Sequence, residues 1–516
     1  MTDNILSILI FFPIVFAVPL LLIGKDNHKL IKSYALAISL ITFAISVYIY
    51  FIFNPYSQDY SFMAKKQWVT TINSFYFIGI DGISLLLILL TTFIFPLSLL
   101  SSWNPIKERI KEYYFLLLLL EGALIGVFCS LDLMLFYVFW EFILIPMYFL
   151  IGIWGGENRI YATVKFFLYT MFGSVLLLIG IIWLGFLSIP YTGMFTMDIT
   201  KLITVTSSLP QDKQIYLFIL FTVGFLIKVP LFPFHTWLPD AHVQAPTAGS
   251  VILAALLLKM GTYGLIRFSL GLFPVAFIKL TPYIATLAVI GIIYGALLSI
   301  VQKDMKKLVA YSSVSHLGFV VLGIFALTQE SMQGSVIQMV NHGLSTGALF
   351  MIVGMLYERR HTKEISEYGG IMKIMPVFSV IFLVVSLSSI GLPGLNGFIG
   401  EFLILIGSFG SLNLNSNLFT IFSTSAVILS AVYLLWLFQR VMLGPVDKDE
   451  NRTLKDISKI ELASIVPILF FIVWIGVHPS TFLKLSDTSV RKIIYNFEDA
   501  KNRMNMEAPK IPQEIK

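Results

Sequence analysis

Long apolar runs separated by short polar stretches repeat along almost the whole chain. Fourteen are long enough to cross a bilayer, near 4–23, 30–53, 77–101, 113–130, 131–153, 161–188, 213–231, 247–268, 277–300, 308–328, 334–357, 375–409, 417–440 and 458–477. A spanning helix needs roughly 20 apolar residues. The stretch 113–153 is therefore too long for one helix, and its turn is placed at Ser130-Leu131-Asp132. The pattern predicts an all-α polytopic membrane protein of about 14 transmembrane helices.

Two spans should be interrupted. The seventh reaches Lys228 and meets Pro230 and Pro233; two missing backbone donors break a helix just beyond the lysine. The twelfth, at about 34 residues, is too long for a straight helix and contains Gly391-Leu392-Pro393-Gly394 followed by Asn396-Gly397. A broken helix survives at membrane depth only where protein or water satisfies its freed carbonyls. Interrupted spans at corresponding places in two halves point to a transporter built from inverted repeats. After Pro479, Val490, Ile493, Ile494, Phe497 and Met504 predict an amphipathic helix lying on the membrane or on a neighbour.

Composition agrees. Of 516 residues 57% are hydrophobic and 12% charged, against about 25% charged in soluble proteins. Met1 to Ile23 is followed by a charged turn rather than a small-residue cleavage site, so no cleavable signal is expected. Loops after odd-numbered spans hold twenty lysines and arginines, and loops after even-numbered spans six, leaving out the tail. That bias predicts odd loops in the cytoplasm and both termini outside. The net charge of +6 is loop charge facing lipid headgroups, not a nucleic-acid surface. The single cysteine, Cys129, cannot hold an iron–sulfur cluster or a structural zinc by itself. No dinucleotide or P-loop glycine motif is present.

Against this background, ionisable residues inside spans stand out, because charge in a bilayer is costly and signals function. Lys228 ends the seventh span and Lys259 lies about twelve residues into the eighth; the alternative for either is a side chain that snorkels to an interface. Glu141 falls mid-way in the fifth span, Glu121 in the fourth and Glu401 beside the twelfth-span break, while Asp132 falls at an interface. Their bland alternative is a structural carboxyl bonded to a neighbouring helix. His316 and His342 occupy consecutive spans among Ser312, Ser313, Ser315 and Asn341, and His235 and His242 flank the turn after the seventh-span break, where they tie it down. No pair has a metal-site spacing. Two unit charges about 8 Å apart at an effective dielectric near 20 interact by roughly 2 kcal/mol, so small displacements within such a set load or unload a proton. The set suits proton translocation rather than hydrolysis or redox chemistry.

HTWLPDAHVQAPTAGSVILAALLLKMGTYGLIRF and DMKKLVAYSSVSHLGFV resemble the antiporter-like membrane subunits of NADH–quinone oxidoreductase, respiratory complex I, and FYVFWEFILIPMYFLIGIWGG is similar to the M type, chain 4 in mitochondria. The resemblance runs from about Glu112 to Arg440. It implies two inverted five-helix units (spans 4–8 and 9–13), dividing the chain at 1–111, 112–268, 269–440 and 441–516. It implies that Glu141 and Lys228 form a coupled pair, Lys259 is the central lysine, His316 and His342 connect, and Glu401 serves a distal half-channel; Glu121 is a secondary candidate by its place in the fourth span alone. It further implies L- and N-type membrane neighbours and surrounding lipid, no cofactor in this chain, and FMN, iron–sulfur clusters and quinone in partner subunits. The expected location is a bacterial inner membrane with periplasmic termini. Two rivals share features: a subunit of a multisubunit Na⁺/H⁺ antiporter, and a non-pumping scaffold of a hydrogenase-type membrane assembly. Glu141-Phe142-Ile143-Leu144-Ile145-Pro146-Met147-Tyr148 favours complex I.

Overall fold

The computed structural model describes residues 4–507, with side chains to residue 502. Among these, twelve helices are long and apolar enough to cross a membrane. The other two of the fourteen predicted spans are the interrupted ones. The seventh runs Gln211–Lys228, loses helical geometry through the prolines, and resumes as Trp237–Gln244. The twelfth splits into Pro376–Ile390 and Asn396–Phe409.

Each break is satisfied by protein. Beyond Lys228, the Trp237 indole donates to the Ile227 carbonyl at 2.9 Å, and Leu231 N–H to the Leu226 carbonyl at 2.9 Å. In the twelfth span Gly391 and Gly394 take φ of +87° and +91°, a region favourable only to glycine. Asn341 on the eleventh span (Gln329–Arg360) donates to the Asn396 carbonyl at 2.7 Å, and Ser388 to the Asn396 side-chain oxygen at 2.5 Å. Freed backbone groups at membrane depth thus have partners.

The eighth span (Thr247–Leu270), the tenth (Met305–Ala326) and the eleventh are almost wholly enclosed, whereas the first, second, thirteenth and fourteenth leave most of their apolar side chains at the periphery. The three central helices form the core and carry Lys259, His316 and His342.

Several features were not legible in the pattern. The connection after the second span folds into a two-stranded hairpin, β1 (Ser61–Val69) against β2 (Ser74–Ile80). A short helix, Ile199–Ser207, packs beside it, joined by a Lys65–Asp198 ion pair at 2.5 Å. Asp132 proves to be the N-cap of the fifth span, accepting from Met134 and Leu135 N–H and from the Ser74 hydroxyl of the hairpin. The tail helix, Ser480–Glu507, packs on the chain's own bundle: Gly82 N–H donates to Ser489 Oγ, and Gln329 and Gln333 donate to Asp487. Val490 and Phe497 are buried as predicted, and Ile493 and Ile494 half-buried; the side chain of Met504 lies outside those described. The hairpin and tail share one end of the bundle, called here the hairpin end.

Candidate functional site

The fifth span is kinked. Its helix runs Leu133–Phe142, pauses at Ile143 and continues as Leu144–Trp154. Pro146 explains the pause, since its ring meets the carbonyl four residues earlier. Glu141 sits on the last turn before the kink, half-buried, with Oε1 free of any protein partner and Tyr137 within electrostatic reach. Lys228 approaches from the seventh span. It is buried, its ammonium makes no hydrogen bond, and it lies 5.2 Å from the Trp140 ring centroid and 5.9 Å from that of Phe166. Glu141 is within electrostatic reach of Lys228 without forming a contact pair.

Lys259 stands near the middle of the eighth span on the α-helical turns Leu258–Gly264, flanked by two π-helical segments, Leu253–Leu257 and Leu265–Leu270. Such segments are rare and concentrate at functional sites. The ammonium is fully enclosed; it donates to the Ala254 carbonyl at 2.5 Å and meets His342 Nδ1 at 2.6 Å. No snorkelling is possible from this position. The His342 ring lies 5.9 Å from the His316 ring. His316 Nδ1 meets Glu401 Oε1 at 2.8 Å, and Gln338 donates to the same oxygen at 3.2 Å. Beyond it, Tyr433 and Ser389 lie 3.3 and 3.5 Å from His316 Nε2.

The residues picked from sequence therefore fall in two groups: a row Lys259–His342–His316–Glu401, hydrogen-bonded at its two ends with the histidine rings 5.9 Å apart and His342 Nε2 unpartnered between them, and Lys228 with Glu141 facing it. Glu121 is not brought to either; it turns toward the second span, where Ser39 donates to Oε1 at 3.0 Å. Ser313 and Ser315 do not join the row, since their hydroxyls bond backbone carbonyls of Val309 and Ile292.

Sequence reasoning missed or undervalued four members of this neighbourhood. Gln338 and Tyr433 contact the row directly and looked like ordinary helix residues. Lys306, counted as a loop cation, is buried and donates to the Ala245 carbonyl at 2.6 Å. His242 does more than tie down a turn: it is fully buried, stacks on Phe350 at 4.4 Å, lies within electrostatic reach of Lys259 and Lys306, and neither ring nitrogen has a protein partner. The motif HTWLPDAHVQAP placed His242 beside the break, but nothing in it signals a histidine turned toward the central lysine.

Comparison with known proteins decides the family. Residues 130–430 match the family model "NADH:quinone oxidoreductase/Mrp antiporter, TM", and residues 8–127 match "NADH-ubiquinone oxidoreductase chain 4, amino terminus". NADH-quinone oxidoreductase subunit M of Rhodobacter capsulatus is 42% identical over 510 residues, covering 96% of this chain and 97% of that one. The chain belongs to the subunit M/chain 4 family of NADH-quinone oxidoreductase. A chain of respiratory complex I from Thermus thermophilus superposes with a TM-score of 0.84 at 29% identity, covering 95% of this chain and 99% of that one. A chain of the Mrp complex from Dietzia has a TM-score of 0.81 at 19% identity over 96% of this chain and 99% of its own, which shows the shared fold alone. Within the subunit M/chain 4 family, the row just described lies inside the matched region 130–430.

Proposed function

We propose that this chain is the proton-translocating M-type membrane subunit of NADH–quinone oxidoreductase, carrying protons along Glu141, Lys228, Lys259, His342, His316 and Glu401. The observation that carries the reading is the buried row from Lys259 to Glu401, with contacts of 2.6 and 2.8 Å joined by two histidine rings 5.9 Å apart. A row of titratable groups in mutual contact, shut away from solvent, passes protons by small changes in who holds them. The chain itself supplies no electron chemistry in this reading. Flavin, iron–sulfur clusters and quinone belong to partner subunits, L- and N-type membrane subunits are its neighbours, and conformational or electrostatic change reaches it through them. Bacterial subunit M relatives support a bacterial inner membrane, and the charge bias of the loops supports an orientation with the hairpin end and both termini in the periplasm. The interrupted seventh and twelfth spans support two five-helix units, at about residues 112–268 and 269–440, between an N-terminal part and a C-terminal span with its tail. Glu121, bonded to Ser39 away from the row, is a secondary proton site.

The test uses assembled complex in membrane vesicles. Lys259→Ala should lose most NADH-driven proton uptake per assembled complex, and Lys259→Arg should also be impaired, because the guanidinium cannot give up its proton. Normal uptake by both would sink the role. Replacing Na⁺ in the medium separates the antiporter rival: a Na⁺/H⁺ exchanger loses proton movement without sodium, and this chain should not.

A further inference from the structure

At the hairpin end a cavity of about 650 Å³ opens beside Tyr60, Asp81, Arg267 and Lys492. Its inner wall is the same helix that carries the central lysine: Lys259, Tyr263 and Arg267 follow at four-residue intervals and so share one helical face. From Tyr263 outward the connection is polar throughout. The Tyr263 hydroxyl lies 3.1 Å from Ser84 Oγ and donates to the Phe128 carbonyl at 3.2 Å. Arg267 donates to Tyr263 at 3.2 Å, to Tyr60 at 3.0 Å and to Ser84 at 3.3 Å, and pairs with Asp81 at 2.7 Å. The Lys259 backbone is therefore two helical turns from a large cavity, with hydroxyls and an ion pair beyond Tyr263, while its ammonium turns back to the Ala254 carbonyl. Left open, this would be a short circuit that bypasses His342, His316 and Glu401.

We propose that Arg267, pinned by Asp81, is an electrostatic seal that stops protons held at Lys259 from leaving through the hairpin-end cavity. The inference rests on the reading that Lys259 carries protons. Orientation supports it. Both members are nearly enclosed, at 6% and 14% exposure, and it is the guanidinium that bonds the Tyr263 hydroxyl directly. A proton moving out meets the fixed cation first. Guanidinium keeps its charge at any working pH, and an arginine set in a polar constriction is one way to exclude protons. Four different partners hold it in one place, and the π-helical segment Leu265–Leu270 that carries it ends the eighth span at this mouth. Arg267 lies about 12 Å along the helix from Lys259, and its pairing with Asp81 reduces its field there, so the roughly tenfold effect of a lone unit charge at an effective dielectric near 20 is an upper bound.

The purified complex is reconstituted into liposomes holding a pH-sensitive dye, and passive proton flux is driven by a potassium diffusion potential with no NADH present. Arg267→Gln should raise this leak by up to about tenfold, Arg267→Lys should keep it low because charge remains, and adding Lys259→Met to Arg267→Gln should lower it again. A leak equal to wild type in Arg267→Gln, or a raised leak that Lys259→Met leaves untouched, overturns the seal. Should Arg267→Gln fail to assemble because it strands Asp81, the pair Arg267→Gln/Asp81→Asn removes both charges together; a flat leak there overturns the proposal equally. Normal NADH-driven pumping by Lys259→Met alone would instead overturn the underlying reading, and it is measured in a separate assay.

Discussion

Lys228 holds its ammonium against the faces of Trp140 and Phe166 with no hydrogen bond of its own. Cation–π attraction of about 2 kcal/mol is available to a desolvated ammonium, well short of the cost of burying an isolated charge. Glu141, the carboxylate within electrostatic reach, is what favours the charged form against that cost. Glu141→Ala should therefore remove most energy-coupled electron transfer, about tenfold or more, while assembled complex remains; normal pumping by assembled variant would refute the pairing. Glu141→Asp, which shortens reach and keeps charge, should be milder. Glu401 offers a sharper contrast, because its Oε1 accepts from Gln338 and meets His316. Glu401→Gln preserves a hydrogen-bonding amide of the same shape and abolishes titration. Proton uptake normalised to assembly should fall severely in Glu401→Gln and survive measurably in Glu401→Lys. The reverse order would make Glu401 a clasp for the broken helix.

At the scale of elements, the two interrupted helices owe their shape to different residues. The seventh span breaks where prolines remove donors, and the twelfth where glycines permit positive φ and close approach. A Cβ on Gly397 would lie 2.0 Å from the Ser388 carbonyl oxygen, so Gly397→Ala must push the half-helices apart and pull Asn396 from Asn341 and Ser388. Thermal unfolding of the detergent-purified complex should drop by several degrees, and His316–Glu401 coupling should weaken with it; an unshifted transition would show that the break absorbs a methyl group. These breaks were readable from the chain because proline and glycine act locally. The π-helical segments beside Lys259 were not, since Leu253–Leu257 and Leu265–Leu270 carry no periodic mark of the extra residue per turn. Positions of Lys228, Lys259, Glu141 and Glu401 followed from charge standing in apolar sequence. Gln338 and Tyr433 did not, because uncharged polar residues are common in spans and only the packing of the tenth, eleventh and thirteenth spans reveals what they touch. The hairpin was equally hidden: its strands alternate only in part and lie between two strong helical signals.

Across the whole molecule, the most distant parts of the sequence meet at the hairpin end. A Cβ on Gly82, at the start of the third span (Gly82–Ser101), would lie 1.6 Å from the Leu485 carbonyl oxygen of the tail helix. That obstacle is backbone and cannot rotate away. Gly82→Ala should lift the tail, lose the Gly82–Ser489 hydrogen bond and expose the segment after Pro479 to protease; limited proteolysis of membranes, followed by a C-terminal epitope, would report it. Unchanged cleavage would show the tail to be held elsewhere, by Asp487 with Gln329 and Gln333. Because the same tail roofs the cavity at Arg267, its release should also change proton leak without touching any residue of the row.

Trp140 gives the chain an optical reporter. Its indole donates to Ser174 Oγ at 2.9 Å, which fixes the ring, while the Lys228 ammonium stands 5.2 Å from the ring centre. When that ammonium loses its proton, the electric field across a stationary chromophore changes, and the emission colour changes with it. The tryptophan emission that Trp140→Phe removes should shift during turnover in step with the charge on Lys228, and stay constant in Lys228→Met.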